Sequence, residues 1–159
     1  MAAAIDNHAW TLRSTLGHPV VLFFFCGCNE CHHVASSWAD LTRSGVLRSA
    51  PFTAARSATP VIAVVYSGDV TDLEAFSAQT GLTGVVLIPD PEMKLTNLYR
   101  VGPCPRVFVL DQKGVLRYTN SGTDDAPQGG HEDLIVARAL TALRACVQPA
   151  AHGQAKAGR

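Results

Sequence analysis

Three cysteines fall within residues 26–31, as Cys26-Gly27-Cys28-Asn29-Glu30-Cys31, and a fourth, Cys104, precedes Pro105. Cys28 and Cys31 have C-x-x-C spacing. At the start of a helix this spacing lets the two sulfurs reach each other within the first turn. A helix N-terminus offers unpaired N–H groups and the positive end of the helix dipole, which favour a thiolate. Cys28, at the outer end, is expected to attack, and Cys31, one turn in, to resolve the mixed disulfide. Glu30 opposes a thiolate at Cys28, whereas His32 and His33 favour it when protonated. A second element is Val101-Gly102-Pro103-Cys104-Pro105-Arg106. A proline that follows a short glycine-containing loop and precedes a strand is a candidate cis-proline. Composition alone favours an ordinary trans proline there.

Positioning these groups requires a rigid frame. Residues 20–25, Val-Val-Leu-Phe-Phe-Phe, form an unbroken apolar run, as in a strand buried on both faces. A helical period follows, with Val34, Trp38 and Leu41 on one face and a stop or break at Ser44-Gly45. Residues 49–60 read as a connector, and Val61 to Tyr66 as a second buried strand. Thr71-Asp72-Leu73-Glu74 is a capping-box pattern that opens a helix with Leu73 and Phe76 inward and a stop at Gly81. Residues 85–88 form a third strand. Asp90-Pro91 then predicts an N-cap and first helical position, with Leu95, Leu98 and Tyr99 as the apolar face. Residues 107–110 and 115–119 flank Asp111-Gln112-Lys113-Gly114 as a hairpin. A loop spans 120–130, and a last helix turns Ile135, Ala139, Leu143 and Val147 to the core. The expected order is β-α-β-α-β-α-β-β-α. Residues 1–148 read as one domain, and 149–159 as a disordered tail.

The chain has 159 residues, enough for one domain that needs no disulfide staples. Thirteen basic and 13 acidic residues give no net charge, which argues against nucleic acid as a partner. Five cysteines cannot all pair within the chain. The apolar run at 20–26 is too short to span a bilayer. The first residues have neither the basic flank nor the apolar core of a signal peptide. The chain therefore reads as cytoplasmic if Met1 is the native start, and as extracytoplasmic if a leader was removed.

Residues 20–31, the helix after them and the stretch from Tyr99 to Gly114 together resemble the thioredoxin-like redoxins. The resemblance is strongest to the TlpA-like thiol–disulfide reductases and to the alkyl hydroperoxide reductase/thiol-specific antioxidant domains. It covers roughly residues 10–147. The segment at 71–88 is similar to the extra αβ unit that separates these groups from plain thioredoxin. The resemblance implies an α/β thioredoxin fold with a central mixed sheet flanked by helices. It implies Pro105 in cis beside a redox-active Cys28–Cys31 pair, with Gly27, Cys104 and Pro105 lining a groove for a partner protein's dithiol or disulfide. No cofactor is expected beyond that disulfide. Several positions depart from the family pattern. Gly27 stands where Trp is usual, and Cys26 where a small or polar residue is usual. Cys104 replaces Thr or Val before the proline. His32 follows the second cysteine in place of a basic residue. Leu22 replaces the acid that thioredoxin buries in the preceding strand.

Other chemistries fit these residues less well. A peroxiredoxin needs Thr or Ser three residues before its peroxidatic cysteine, and here those places hold Phe25 and Cys28. It also needs an arginine three residues before Phe108, where Pro105 stands. Cys28-x-x-Cys31-His32 fits a covalent haem pattern, but the chain has no obvious second ligand loop. With Pro105 cis, Cys104 would join Cys28 and Cys31, and Cys26 and His33 could add to a thiolate set for zinc or an iron–sulfur cluster. Cys146 reads as a core thiol. Cys26 reads equally as a packed thiol or a redox group. Arg106 either borders the groove or is solvated.

Overall fold

The computed structural model describes residues 10–120 and 131–148. Its elements are β1 (Val20–Phe25), α1 (Asn29–Arg43), β2 (Val61–Tyr66), α2 (Val70–Thr80), β3 (Val86–Pro89), α3 (Lys94–Leu98), β4 (Arg106–Leu110), β5 (Leu116–Thr119) and α4 (His131–Val147). This is the order expected from the sequence. The sheet order is β3-β2-β1-β4-β5. β1 and β2 run parallel, as do β2 and β3, while β4 lies antiparallel to β1 and to β5. The sheet is therefore mixed, with helices packed against it in an α/β thioredoxin fold.

All six residues of β1 are buried, because the strand lies at the centre of the sheet. Alternate side chains serve two separate cores. Val21, Phe23 and Phe25 pack with Val34 and Trp38 of α1, Leu73 and Phe76 of α2, and Ile135, Ala139 and Leu143 of α4. Val20, Leu22 and Phe24 face the other way, toward Trp10, Leu12, Leu95, Tyr99 and Phe108. Leu22, where thioredoxin buries an acid, is thus core. A run of rings, Trp38–Phe23–Phe25–Phe76, has centroid spacings of 5.2–5.4 Å and extends toward the end of β1.

Several local expectations change. α2 begins at Val70, and its cap is Asp69, whose Oδ1 accepts the Asp72 N–H at 2.9 Å. A carboxylate in extended geometry two residues upstream displaces the Thr71 pattern. Leu73 and Phe76 point inward and Gly81 ends the helix in left-handed geometry, as expected. α3 is only five residues long, and Leu98 is 74 % exposed, so it is not part of an apolar face. Thr96 is buried in its place, bonded to Asp90. The supposed connector at 49–60 contains Phe52, which is 1 % exposed and belongs to the larger core. The hairpin forms around Asp111, whose carboxylate accepts the N–H groups of Lys113 and Val115. The loop expected at 120–130 lies outside the described residues except for Asn120, and the tail at 149–159 lies outside them altogether. Among the described residues, no helix is long and apolar enough to cross a membrane.

Candidate active site

β1 ends at Phe25, and the next residues turn sharply into α1. Gly27 has φ +81°, a conformation that glycine adopts without the penalty of a Cβ. Tyr66 lies opposite Phe25 at the end of β2, and its hydroxyl fills the space beside Gly27. A Cβ built on residue 27 would lie 2.5 Å from that oxygen. The position that is usually Trp is therefore glycine here because a tyrosine from the neighbouring strand occupies its side-chain space. Burial, the Asp72 carboxylate and the two nearby thiols raise the Tyr66 hydroxyl above its ordinary pKa.

Cys28 is the N-cap of α1, and its sulfur accepts the Cys31 N–H at 3.4 Å. The Cys28 sulfur is half-buried and lies 3.1 Å from that of Cys31, which is fully buried. Burial pushes the Cys31 thiol up to about 12; the Cys26 N–H works against this and Cys28 adds to it. Cys31 is therefore protonated at neutral pH, and Cys28 is the more accessible of the two sulfurs. Glu30 is exposed on the first turn, and His33 is exposed as well. His32 bonds the Cys28 carbonyl through Nδ1 at 3.1 Å and Gln79 Oε1 through Nε2 at 3.0 Å. Its ring stands edge-on to Phe76. His32 thus ties the first turn of α1 to α2.

The loop before β4 closes the other side. The Cys104–Pro105 bond is cis, as is Ala50–Pro51, which carries no such motif in the sequence. Asn120, 2 % exposed, anchors this loop. Its Oδ1 accepts the Val107 N–H at 2.8 Å, and its Nδ2 donates to the Pro105 carbonyl at 2.9 Å. In the sequence, only its place directly after a strand hints at that role. Arg106 donates to Thr119 Oγ1 and lies over the Phe108 ring, so it is held along the hairpin and not free at the groove.

Cys26 and Cys104, whose roles the sequence left open, are joined in a disulfide. Cys28 and Cys31 are thiols, as is Cys146, which is half-buried against the larger core. The Cys28 sulfur is 3.9 Å from that of Cys104, and the Cys31 sulfur is 3.9 Å from that of Cys26. All four sulfurs lie within 4.8 Å of one another. Cys26 is exposed, Cys28 and Cys104 are half-buried, and Cys31 is buried beneath them. A cavity of about 400 Å³ opens at the opposite end of the sheet, beside Thr59, Pro60 and Val85, and no cysteine lines it. The arrangement can exchange thiols and disulfides with a group that approaches from outside.

Three solved structures show the same fold at low identity. One is the bacterioferritin comigratory protein of Xanthomonas campestris, described for its alkyl peroxide reduction activity. It is 20 % identical, with a TM-score of 0.61 over 84 % of this chain and 85 % of that one. Another is a putative thiol:disulfide interchange protein DsbE from Chlorobium tepidum, 21 % identical, with a TM-score of 0.59 over 83 % and 84 %. The third is a secreted Mycobacterium tuberculosis disulfide oxidoreductase homologous to Escherichia coli DsbE, 17 % identical, with a TM-score of 0.58 over 81 % and 85 %. No curated protein is significantly similar in sequence. The AhpC/TSA family model matches residues 2–119, well over half of the chain. A thioredoxin-like fold, a dithiol at the head of α1 and this family match agree: the chain is a redoxin and belongs to the AhpC/TSA family.

Proposed function

We propose that the protein is a thiol–disulfide oxidoreductase whose Cys28 and Cys31 exchange with a disulfide of a partner protein. One observation carries the reading: two thiol sulfurs lie 3.1 Å apart at the N-cap of α1, the outer one half-exposed and the inner one buried. The Cys28 thiolate attacks the partner disulfide, forms a mixed disulfide and releases one partner thiolate. The Cys31 thiol, on losing its proton, attacks the Cys28 sulfur and releases the second partner thiolate. The backbone beside Pro105 would hold the partner chain in an extended, strand-like form. Reduction of insulin disulfides by dithiothreitol, with and without the protein, tests this. Wild type is expected to accelerate precipitation of the insulin B chain, and Cys28→Ser to leave it at the uncatalysed rate. Undiminished turnover by Cys28→Ser would sink the mechanism.

A peroxidase reading gains little from the site, since Phe25 stands where the peroxiredoxin hydroxyl should be. A metal-binding reading has one observation in its favour, the mutual approach of the sulfurs of Cys26, Cys28, Cys31 and Cys104 within 4.8 Å. It requires the Cys26–Cys104 bond to be reduced. Reduced protein purified without chelator and assayed for zinc and iron decides it: about one metal per chain supports a metal centre, and metal-free protein ends that reading.

A further inference from the structure

The exchange described above needs two sulfurs, and the site brings together four. Following their contacts gives a closed circuit. Cys26 is bonded to Cys104, Cys104 lies 3.9 Å from Cys28, Cys28 lies 3.1 Å from Cys31, and Cys31 lies 3.9 Å from Cys26. Each sulfur of one pair therefore has a neighbour in the other pair at near-contact distance. The disulfide lies in the pair next to the helix head, and the dithiol at the helix head is reduced. That is the state a molecule would reach if it had reduced one partner disulfide and then passed the resulting disulfide sideways.

We propose that Cys26 and Cys104 form a reserve dithiol that re-reduces the Cys28–Cys31 disulfide inside the molecule, so that the site delivers four electrons and not two. The inference rests on Cys28 and Cys31 being the pair that meets the partner. After one turnover the site holds a Cys28–Cys31 disulfide and the thiols of Cys26 and Cys104. The Cys104 thiolate attacks the Cys28 sulfur. A Cys28–Cys104 bond forms, the Cys28–Cys31 bond breaks, and its electron pair leaves on Cys31, which takes a proton. The Cys26 thiolate then attacks the Cys104 sulfur. The Cys26–Cys104 bond forms, the Cys28–Cys104 bond breaks, and the electron pair returns to Cys28 as a thiolate. Two electrons have moved from the reserve pair to the working pair. Cys26 and Cys104 each lose a proton, Cys31 gains one, and Cys28 regains its own from solvent. No outside oxidant or reductant takes part. Cys26 is exposed, so its proton has a direct path to water. The buried Cys31 thiol receives the Cys26 N–H at 3.4 Å, which holds the two pairs in register.

Counting electrons tests the relay. Wild type is fully reduced with dithiothreitol, freed of it without oxygen, and mixed with an excess of a peptide that carries a single disulfide. Two peptide disulfides reduced per molecule are expected for wild type, one for Cys26→Ala and none for Cys28→Ser. Trypsin then reads the linkage. Cys26, Cys28 and Cys31 share the peptide between Arg13 and Arg43, whereas Cys104 lies on the short peptide ending at Arg106 and Cys146 on another. After the burst, the Cys104 peptide should be cross-linked to the peptide of the other three. One peptide disulfide per wild-type molecule, with Cys104 still free, overturns the relay and leaves the dithiol reading intact. Two for wild type but one for Cys28→Ser would mean two independent pairs, and also overturns it. None for wild type removes the dithiol reading and the relay with it.

Discussion

Tyr66 and Gly27 form a pair that decides the shape of the active-site turn. Gly27 needs φ +81°, and its missing side chain leaves room for the Tyr66 hydroxyl. Gly27→Ala should destabilise the fold by about 1–3 kcal/mol through backbone strain alone, with an added penalty from the hydroxyl. Tyr66→Phe removes that oxygen and leaves a ring carbon 3.5 Å from the new methyl, an ordinary contact. The double variant should therefore be more stable than the sum of the singles predicts, by urea unfolding in a double-mutant cycle. Strict additivity would show that the hydroxyl imposes no constraint. The departure from tryptophan at residue 27 was visible in the sequence. Its cause was not, because the residue that fills the space is 39 positions away and meets it only through the pairing of β1 with β2.

Among the elements, the link between β3 and α3 depends most on one side chain. Asp90 is 5 % exposed. Its carboxylate accepts the Leu95 N–H at 3.1 Å, the Thr96 N–H at 2.9 Å and the Thr96 hydroxyl at 2.8 Å. Burial raises its pKa, the hydrogen bonds outweigh burial, and the carboxyl ends below its ordinary value. Asp111 behaves alike: burial raises it, and the Val115 and Lys113 N–H groups with Arg117 bring it down. A group with a depressed folded value contributes its full stability above the unfolded value, near pH ~4, and loses it as the pH falls through the folded value. Urea midpoints should therefore drop steeply from about pH 4 downward, and Asp90→Asn should flatten that drop. Asp90→Ala should cost about 2–3 kcal/mol at pH 7, since it leaves buried N–H groups without an acceptor. A pH profile unchanged by Asp90→Asn would remove this role. The alternation of strands and helices was legible here because long apolar runs and glycine stops dominate it. The start of α3 was not: its N-cap is Met93, in left-handed geometry, and not Asp90, which reaches the Leu95 and Thr96 N–H groups from three residues further upstream and leaves Pro91 outside the helix.

The whole molecule carries no net charge, with 13 basic and 13 acidic residues. It has no long-range field to draw a partner in. The rate of reducing a neutral single-disulfide peptide should change less than about twofold between about 50 and 500 mM salt. A tenfold fall, measured by stopped flow, would reveal a local charged surface that the formal balance conceals. Two cores on opposite faces of β1 hold the sheet, so the site at its end stands on a support that the sequence already announced in the run from Val20 to Phe25. The Cys26–Cys104 bond adds something of another kind. It links positions 78 residues apart and encloses α1, β2, α2, β3 and α3 in one covalent ring, with β1, β4, β5 and α4 outside. Moving that bond to Cys28–Cys31 exchanges the large ring for one of four residues. A protease cut anywhere between Gly27 and Pro103 would thus leave the pieces joined in one state, while a cut beyond Cys31 would free them in the other. Where the oxidising equivalent resides becomes a property of the chain's connectivity, readable on a gel.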